Sequence, residues 1–221
     1  MIKREFTHAG KRSASSKTVS PEVQQWIDLL ASDEWTERRD AAEALAELGD
    51  NAKGAVPQLI TALSDVEWHV RKVAAIALTR IGPAAAPAVS ALITALSDEE
   101  WHVRKAAAEG LAGIGPAAHP AVPQLIEALT DWEWQVRNPA AQALAAIGPP
   151  AKPALGRLIV ALEDEEWKVR KHAAQALGAI GVSTKPALAA LRQALDDEED
   201  QVREVVEQAL RELADPSEKA G

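Results

Sequence analysis

Histidine is the first residue type to examine for chemistry, because its side chain can move protons or bind a metal near neutral pH. His69 and His102 stand 33 residues apart in identical Trp-His-Val-Arg stretches, and His172 has no carboxylate four residues later. One unit of a repeat separates the first two by about 10 Å, too far to share a metal ion. No Ser-His-Asp set, phosphate loop or paired catalytic carboxylates can be assigned. We therefore expect no enzyme activity, metal or cofactor.

Several residue types recur with this same period of 33. Trp does so at 35, 68, 101, 134 and 167, and Gly at 49, 82, 115, 148 and 181. Arg recurs at 38, 71, 104, 137, 170 and 203, and Asp at 65, 98, 131, 164 and 197. Such self-similarity is typical of stacked supersecondary units. The Trp series predicts packing across units, and the alternative is an aromatic ladder that contacts a ligand or peptide.

Each unit has the pattern of two helices. In AVPQLIEAL (residues 121–129), the apolar residues follow the i, i+3, i+4, i+7 spacing of a helix. Asp131 is placed to cap the second helix, and Gly148 to end it in a left-handed conformation. The pattern predicts six pairs, with first helices near 21–31, 55–64, 88–97, 121–130, 154–163 and 187–196. The second helices are predicted near 33–48, 66–81, 99–114, 132–147, 165–180 and 198–213.

The repeated unit W-x-V-R-x-x-A-A-x-A-L-x-x-I-G-P resembles the HEAT repeat, over about residues 20–213. More narrowly, it looks like the HEAT-like class named after phycobilisome (bilin) lyases. The resemblance implies an all-α fold, a right-handed α-solenoid of about six two-helix repeats within residues 20–214. We expect a flexible basic arm at 1–19 and a C-terminal tail at 215–221.

The resemblance also leads to expectations about the Arg and Asp series and about enzyme activity. A buried Arg needs partners, and the Arg and Asp series resemble the inter-repeat ladder of HEAT arrays, with anion binding as the alternative. Deoxyhypusine hydroxylase, built from similar repeats, relies on His-Glu dipeptides, which this sequence lacks. We find no residue pattern that assigns bilin transfer.

In HEAT arrays the second helices line the concave surface, so the resemblance makes their variable side the candidate binding face. With Trp as position 1 and 100° per residue, positions 3, 4, 7, 8, 10, 11 and 14 form the packing side. Positions 2, 5, 6, 9, 12 and 13 lie opposite. The predicted partner-binding residues there are His69, Lys72, Val73, Ile76, Arg80, His102, Lys105, Glu109, Asn138, Gln142, Lys171, His172 and Gln175.

Two features of this face are specific to single units. Val73 and Ile76 are predicted to form an exposed apolar anchor, rimmed by Lys72, Arg80 and Lys105, for a partner with acidic groups. Asn138-Pro139 is predicted to kink its helix.

Charge limits the partners further. The net charge is −9, and since residues 1–19 carry +4, the remainder carries −13. An acidic body repels phosphate backbones, so nucleic acid is not an expected partner. We see no run of about 18 apolar residues and expect no membrane span.

Acidic clusters such as Asp98-Glu99-Glu100 lie at the start of the second helices. Helix capping and solubility explain carboxylates at this place. The alternative is a site for a cation or for a basic partner.

The sequence therefore predicts a non-enzymatic protein- or peptide-binding scaffold or adaptor that uses the concave face. The absence of Cys fits a cytoplasmic location. Two alternatives stay open: an accessory subunit or lyase for a bilin-type chromophore, and a self-assembling structural repeat module. A homo-oligomer is compatible with each of these.

Overall fold

The computed structural model describes residues 19–214, and every regular element within that range is helical. The α-helices form six successive pairs, which confirms the predicted solenoid. The pairs are α1 (Pro21–Leu29) with α2 (Trp35–Leu48), α3 (Val56–Ala62) with α4 (Trp68–Ile81), α5 (Val89–Ala95) with α6 (Trp101–Ile114), α7 (Val122–Ala128) with α8 (Trp134–Ile147), α9 (Leu155–Ala161) with α10 (Trp167–Ile180), and α11 (Lys185–Gln193) with α12 (Asp200–Leu213). The predicted arm, apart from Val19, and the predicted tail lie outside the described residues.

The first helices of pairs two to five begin one residue later and end two residues earlier than predicted, and a 3-10 segment directly precedes each of them. These segments are Gly49–Ala55, Gly82–Ala88, Gly115–Ala121 and Pro149–Ala154. Three of them contain an internal proline, such as Pro87. Proline has no N–H to donate into an α-helical ladder, and a short 3-10 turn loses less by its presence.

The glycines that end α2, α4, α6, α8 and α10 have a positive φ, as predicted, but in the first four of them ψ differs from the prediction. Gly82, Gly115 and Gly148 combine φ of 70, 73 and 71° with ψ of −138, −137 and −138°. This region is open essentially to glycine alone, and it is not the left-handed helical geometry. Only Gly181 among the described helix-ending glycines is left-handed helical, at φ 73° and ψ 22°, and no 3-10 segment follows it. The unusual ψ thus accompanies direct entry into the 3-10 turn.

The core runs the length of the solenoid. Consecutive second helices pack side by side, and the first helices contact mainly their own second helix and the adjoining 3-10 segments. Val70, Ala74 and Leu78 of α4 are fully buried, and so are the residues 33 positions later in α6. Because the second helices are packed more closely than the first helices, they form the inner, concave side of the stack.

One stretch of the chain is more apolar than the others. Residues Trp68–Ala95 are long and apolar enough, by length and composition, to cross a membrane. In the fold this stretch is divided among α4, the segment Gly82–Ala88 and α5, and its Leu78 and Leu92 are fully buried in the core. Core packing between units therefore accounts for its apolar character.

Candidate functional site

Five Arg–Asp pairs join successive units, which confirms the predicted ladder. Arg104 Nε donates to Asp131 Oδ2 at 2.7 Å and Arg104 Nη2 to Asp131 Oδ1 at 2.9 Å. The same two-bond geometry recurs at Arg38–Asp65, Arg71–Asp98, Arg137–Asp164 and Arg170–Asp197. These side chains are largely buried, and paired hydrogen bonds between charged groups are the stronger kind.

Each pair also organises the turns on both sides. Arg104 Nη1 donates to the carbonyl oxygens of Asp98 and Glu99, at 2.9 and 3.0 Å. Asp131 Oδ1 accepts from the Glu133 amide at 3.0 Å. Glu133 is the N-cap residue of α8, so the prediction that Asp131 caps this helix is wrong. The guanidinium donors are mostly occupied by the protein, which disfavours the anion-binding alternative.

The hydrogen bonds of the ladder lower the pKa of its carboxylates. Burial by itself raises the pKa of Asp98, but hydrogen bonds from Arg71 and the Glu100 amide outweigh it, and the net pKa lies below the usual value. The pKa of Asp65, Asp131 and Asp197 is lowered by the same balance.

The free energy of unfolding should therefore depend on pH in the acid range. A lowered folded-state pKa stabilises the fold above the unfolded-state value of about 3.9, and this stabilisation is lost as pH falls toward the folded-state value. We expect urea unfolding to show a free energy that falls below about pH 4. The Asp131→Asn variant should be less stable than the wild type at pH 7, and this gap should narrow at pH 3. A difference in the free energy of unfolding that stays constant with pH would contradict the lowered pKa of Asp131.

The Trp series forms a column along the start of the second helices. His69 stacks on Trp68 with ring centroids 3.7 Å apart and lies 5.3 Å from Trp35. His102 repeats this arrangement between Trp68 and Trp101, at 5.1 and 3.7 Å. Lys168 fills the corresponding place, with Nζ 4.8 Å from the Trp134 ring and 5.6 Å from the Trp167 ring.

This column confirms that the Trp residues pack across units, and it shows what the sequence missed. The side chains that follow Trp68, Trp101 and Trp167 lie between two indoles, so His69 and His102 belong to the column. Their Nδ1 atoms are buried without a hydrogen-bond partner. The signal available in the sequence was that ring or long side chains follow successive Trp residues.

Val73 corrects the predicted exposed anchor. It is 8% exposed, and Ala106, which occupies the same position in the next unit, is 2% exposed. The second helices of units two to five each pack against two neighbouring second helices as well as their own first helix. In units two to four, position 6 therefore belongs to the packing side. Ile76, at position 9, is half-buried and remains at the surface.

Ile76 lies between two shallow depressions of the concave side. One, of about 540 Å³, crosses α4, α6 and α8. The other, of about 560 Å³, lies between α2 and α4. The first is lined by Ile76, Thr79, Arg80, Glu109, Ala112, Gly113, Gln142 and Ala146. The structure thus brings four predicted site residues together, over a floor of small side chains.

A second group of predicted residues meets between α8, α10 and α12. His172 Nδ1 lies 2.7 Å from Asn138 Oδ1 and 3.1 Å from the Lys168 carbonyl oxygen, so it carries the proton and donates. Burial lowers the pKa of His172, and the positive charge of Lys171 lowers it further. The hydrogen bond to the Lys168 carbonyl oxygen acts in the opposite direction and raises this pKa. Gln175 and Lys171 line a separate depression of about 330 Å³.

Pro139 does not interrupt α8, which keeps the 14 residues of α4, α6 and α10, so the bend of this helix stays a prediction. No group of three or more His, Asp or Glu side chains that could hold a metal ion occurs between residues 19 and 214.

Comparison with known proteins agrees with this architecture. The profile of HEAT repeats matches residues 23–89, 84–145 and 122–211. No curated protein has significant similarity to the sequence. An engineered protein of known crystal structure is 26% identical, with a TM-score of 0.74 over 88% of this chain and 97% of its own.

Designed armadillo repeat proteins have a similar fold. One is 22% identical, with a TM-score of 0.72 over 86% of this chain and 99% of its own. Another, solved in complex with the peptide (KR)4, is also 22% identical, with a TM-score of 0.72 over 87% of this chain and 99% of its own. At this identity the likeness shows the fold alone.

Proposed function

Because the chain belongs to the HEAT repeat family, we propose that it is a non-enzymatic scaffold that binds a peptide segment of a partner protein along its concave face. Repeat solenoids use extended concave surfaces in this way. The designed armadillo protein with bound (KR)4 peptide supports the proposal as a precedent for peptide binding by a similar fold.

The depression that crosses α4, α6 and α8 carries this proposal. Ile76 supplies a partly exposed apolar contact, and Ala112 and Gly113 let another backbone approach closely. Arg80, Glu109 and Gln142 surround that floor with hydrogen-bonding groups. A small apolar floor with a polar rim fits a peptide better than a small reactive substrate, because the surface is open and holds no catalytic set.

The experiment compares two isoleucines of similar burial. Peptides are selected from an unbiased displayed library on the wild-type protein, and their affinities are then measured by fluorescence anisotropy. We expect Ile76→Glu to weaken the selected peptides by about tenfold or more. The control Ile93→Glu, in the first helix α5 and also half-buried, should leave affinity nearly unchanged. Equal effects of the two variants, with helicity preserved by circular dichroism, would contradict the proposal.

The other functions predicted from the sequence stay predictions. Mixing with a bilin and recording visible absorbance tests the chromophore role, and the molar mass in solution tests self-assembly.

A further inference from the structure

The concave face carries a row of positive charge along one side. At positions 2 and 5 of α4, α6, α8 and α10, the charged residues are Lys72, Lys105, Lys168 and Lys171, and there is no carboxylate. We call these four lysines the basic stripe. It lies beside the Trp column, on the half of each second helix nearest its N-terminus. A cationic row on a chain whose body carries −13 is a local feature, since the repeat itself does not require it.

Most of the stripe is not neutralised by the protein. Within residues 19–214, the one ion pair of the stripe is Lys105 with Glu109, at 3.0 Å. Lys72 lies over the Trp68 ring at 5.5 Å and Lys171 over the Trp167 ring at 5.8 Å. An ammonium held on an aromatic face keeps N–H donors directed away from the ring.

Lys168 gives the stripe continuity where the fourth unit lacks a lysine. Position 5 of that unit is Asn138, which is bonded to His172. Lys168 comes from the fifth unit, yet its Nζ is nearer the Trp134 ring of the fourth unit than the Trp167 ring of its own. The stripe therefore offers a cation near each of units two to five.

Three carboxylates of the acidic turns beside the column are directed to the ladder and not to the stripe. Glu165 and Glu198 are directed to ladder arginines, at 3.2 Å from Arg137 and 3.3 Å from Arg170. Glu99 lies 4.0 Å from Arg71. These three carboxylates are thus bound by ladder arginines and leave the stripe lysines without them.

We propose that the basic stripe selects an extended acidic peptide with a carboxylate at about every third residue, an inference that rests on the peptide-binding function proposed above. Neighbouring second helices are about 10 Å apart, and an extended chain advances about 3.3 Å per residue. Three residues therefore span one unit and place successive carboxylates opposite successive lysines. Electrostatic complementarity of this kind sets partner choice more than it sets affinity.

The test uses defined, fluorescein-labelled probes. The peptide (Glu-Ser-Thr)5 is compared by anisotropy with (Lys-Ser-Thr)5, with a peptide of the same composition whose five Glu form one block, and with the oligonucleotide dT15. We expect (Glu-Ser-Thr)5 to bind about tenfold more tightly than the lysine peptide, and to weaken as salt is raised from 50 to 200 mM. The block peptide should bind less tightly than the regularly spaced one.

Two triple variants with equal changes of net charge separate the stripe from overall charge. Lys72→Glu/Lys168→Glu/Lys171→Glu should lose about tenfold in affinity for (Glu-Ser-Thr)5. Lys53→Glu/Lys152→Glu/Arg157→Glu changes exposed residues outside the second helices and should lose less than about threefold. Circular dichroism confirms that both variants are folded.

Failure of this inference differs from failure of the proposed function. Three results would each overturn the acidic preference. The first is an equal loss of affinity in the two triple variants, and the second is tighter binding of (Lys-Ser-Thr)5 or dT15 than of (Glu-Ser-Thr)5. The third is no binding of (Glu-Ser-Thr)5 at 1 mM, which is about the weakest affinity of interest. If library peptides without carboxylates bind and Ile76→Glu removes them, peptide binding stands and only the charge preference is wrong. If neither Ile76→Glu nor the triple variant of the stripe weakens any peptide, the concave-face function itself is wrong.

Discussion

Replacing Arg104 by Ala should lower the free energy of unfolding by about 2–3 kcal/mol, the cost of leaving a buried charged partner unpaired. The Asp131 carboxylate, 11% exposed, would lose both of its guanidinium hydrogen bonds. The carbonyl oxygens of Asp98 and Glu99 would lose a donor at the same time. Urea unfolding followed by circular dichroism gives the change.

Arg203 provides the matched control, because it is the same residue of the repeat in the last unit. It pairs with Asp200 of its own helix, and the two side chains are 37% and 82% exposed. Arg203→Ala should cost less than about 1 kcal/mol, as is usual for exposed ion pairs. In the double variant Arg104→Ala/Asp131→Asn, the losses should be less than additive. Equal losses from Arg104→Ala and Arg203→Ala would mean that the ladder adds nothing to the packing.

Val73→Glu should destabilise the protein by about 3 kcal/mol or more, since it places a carboxylate in a buried apolar contact. Val73 is 8% exposed and packs in the core between second helices. Thermal and urea unfolding should both show the loss, and any loss of binding in this variant would follow from unfolding.

Val66→Glu is the control for the same change of side chain. Val66 is 86% exposed, and the same position of other units holds Glu99, Glu165 and Glu198. Two of those carboxylates lie within 3.3 Å of a ladder arginine. Val66→Glu should therefore change stability by no more than about 0.5 kcal/mol. A stable, folded Val73→Glu protein would restore the exposed-anchor interpretation.

The residues that could be placed from the sequence are those whose partner lies at a fixed offset in the same pattern. Arg104 and Asp131 are 27 residues apart, and every other ladder pair keeps this separation. Repetition thus revealed a tertiary contact that a single unit could not.

What could not be predicted depends on neighbours that a single-helix projection omits. Val73 was placed on the open side because the projection has one packing side, whereas each second helix has several. The insertion of His69 between Trp35 and Trp68 requires the rotation of one unit on the next, which spacing does not give. The 3-10 segments depend on the backbone angles of the helix-ending glycines, and these angles are not encoded by the presence of glycine alone.

The fixed offset of the ladder has a consequence for how such a chain can change length. Removal of residues 101–133 would delete Arg104 and Asp131 together and leave Asp98 immediately before the helix that begins at Trp134. Arg71 would keep Asp98, and Arg137 would find the same turn carbonyl oxygens six and five residues before it. A duplication of the same segment would likewise leave every ladder arginine with an aspartate partner. Gene rearrangements in whole periods therefore lengthen or shorten the array without stranding a charge, so that the reach of the molecule can vary in evolution independently of its local stability.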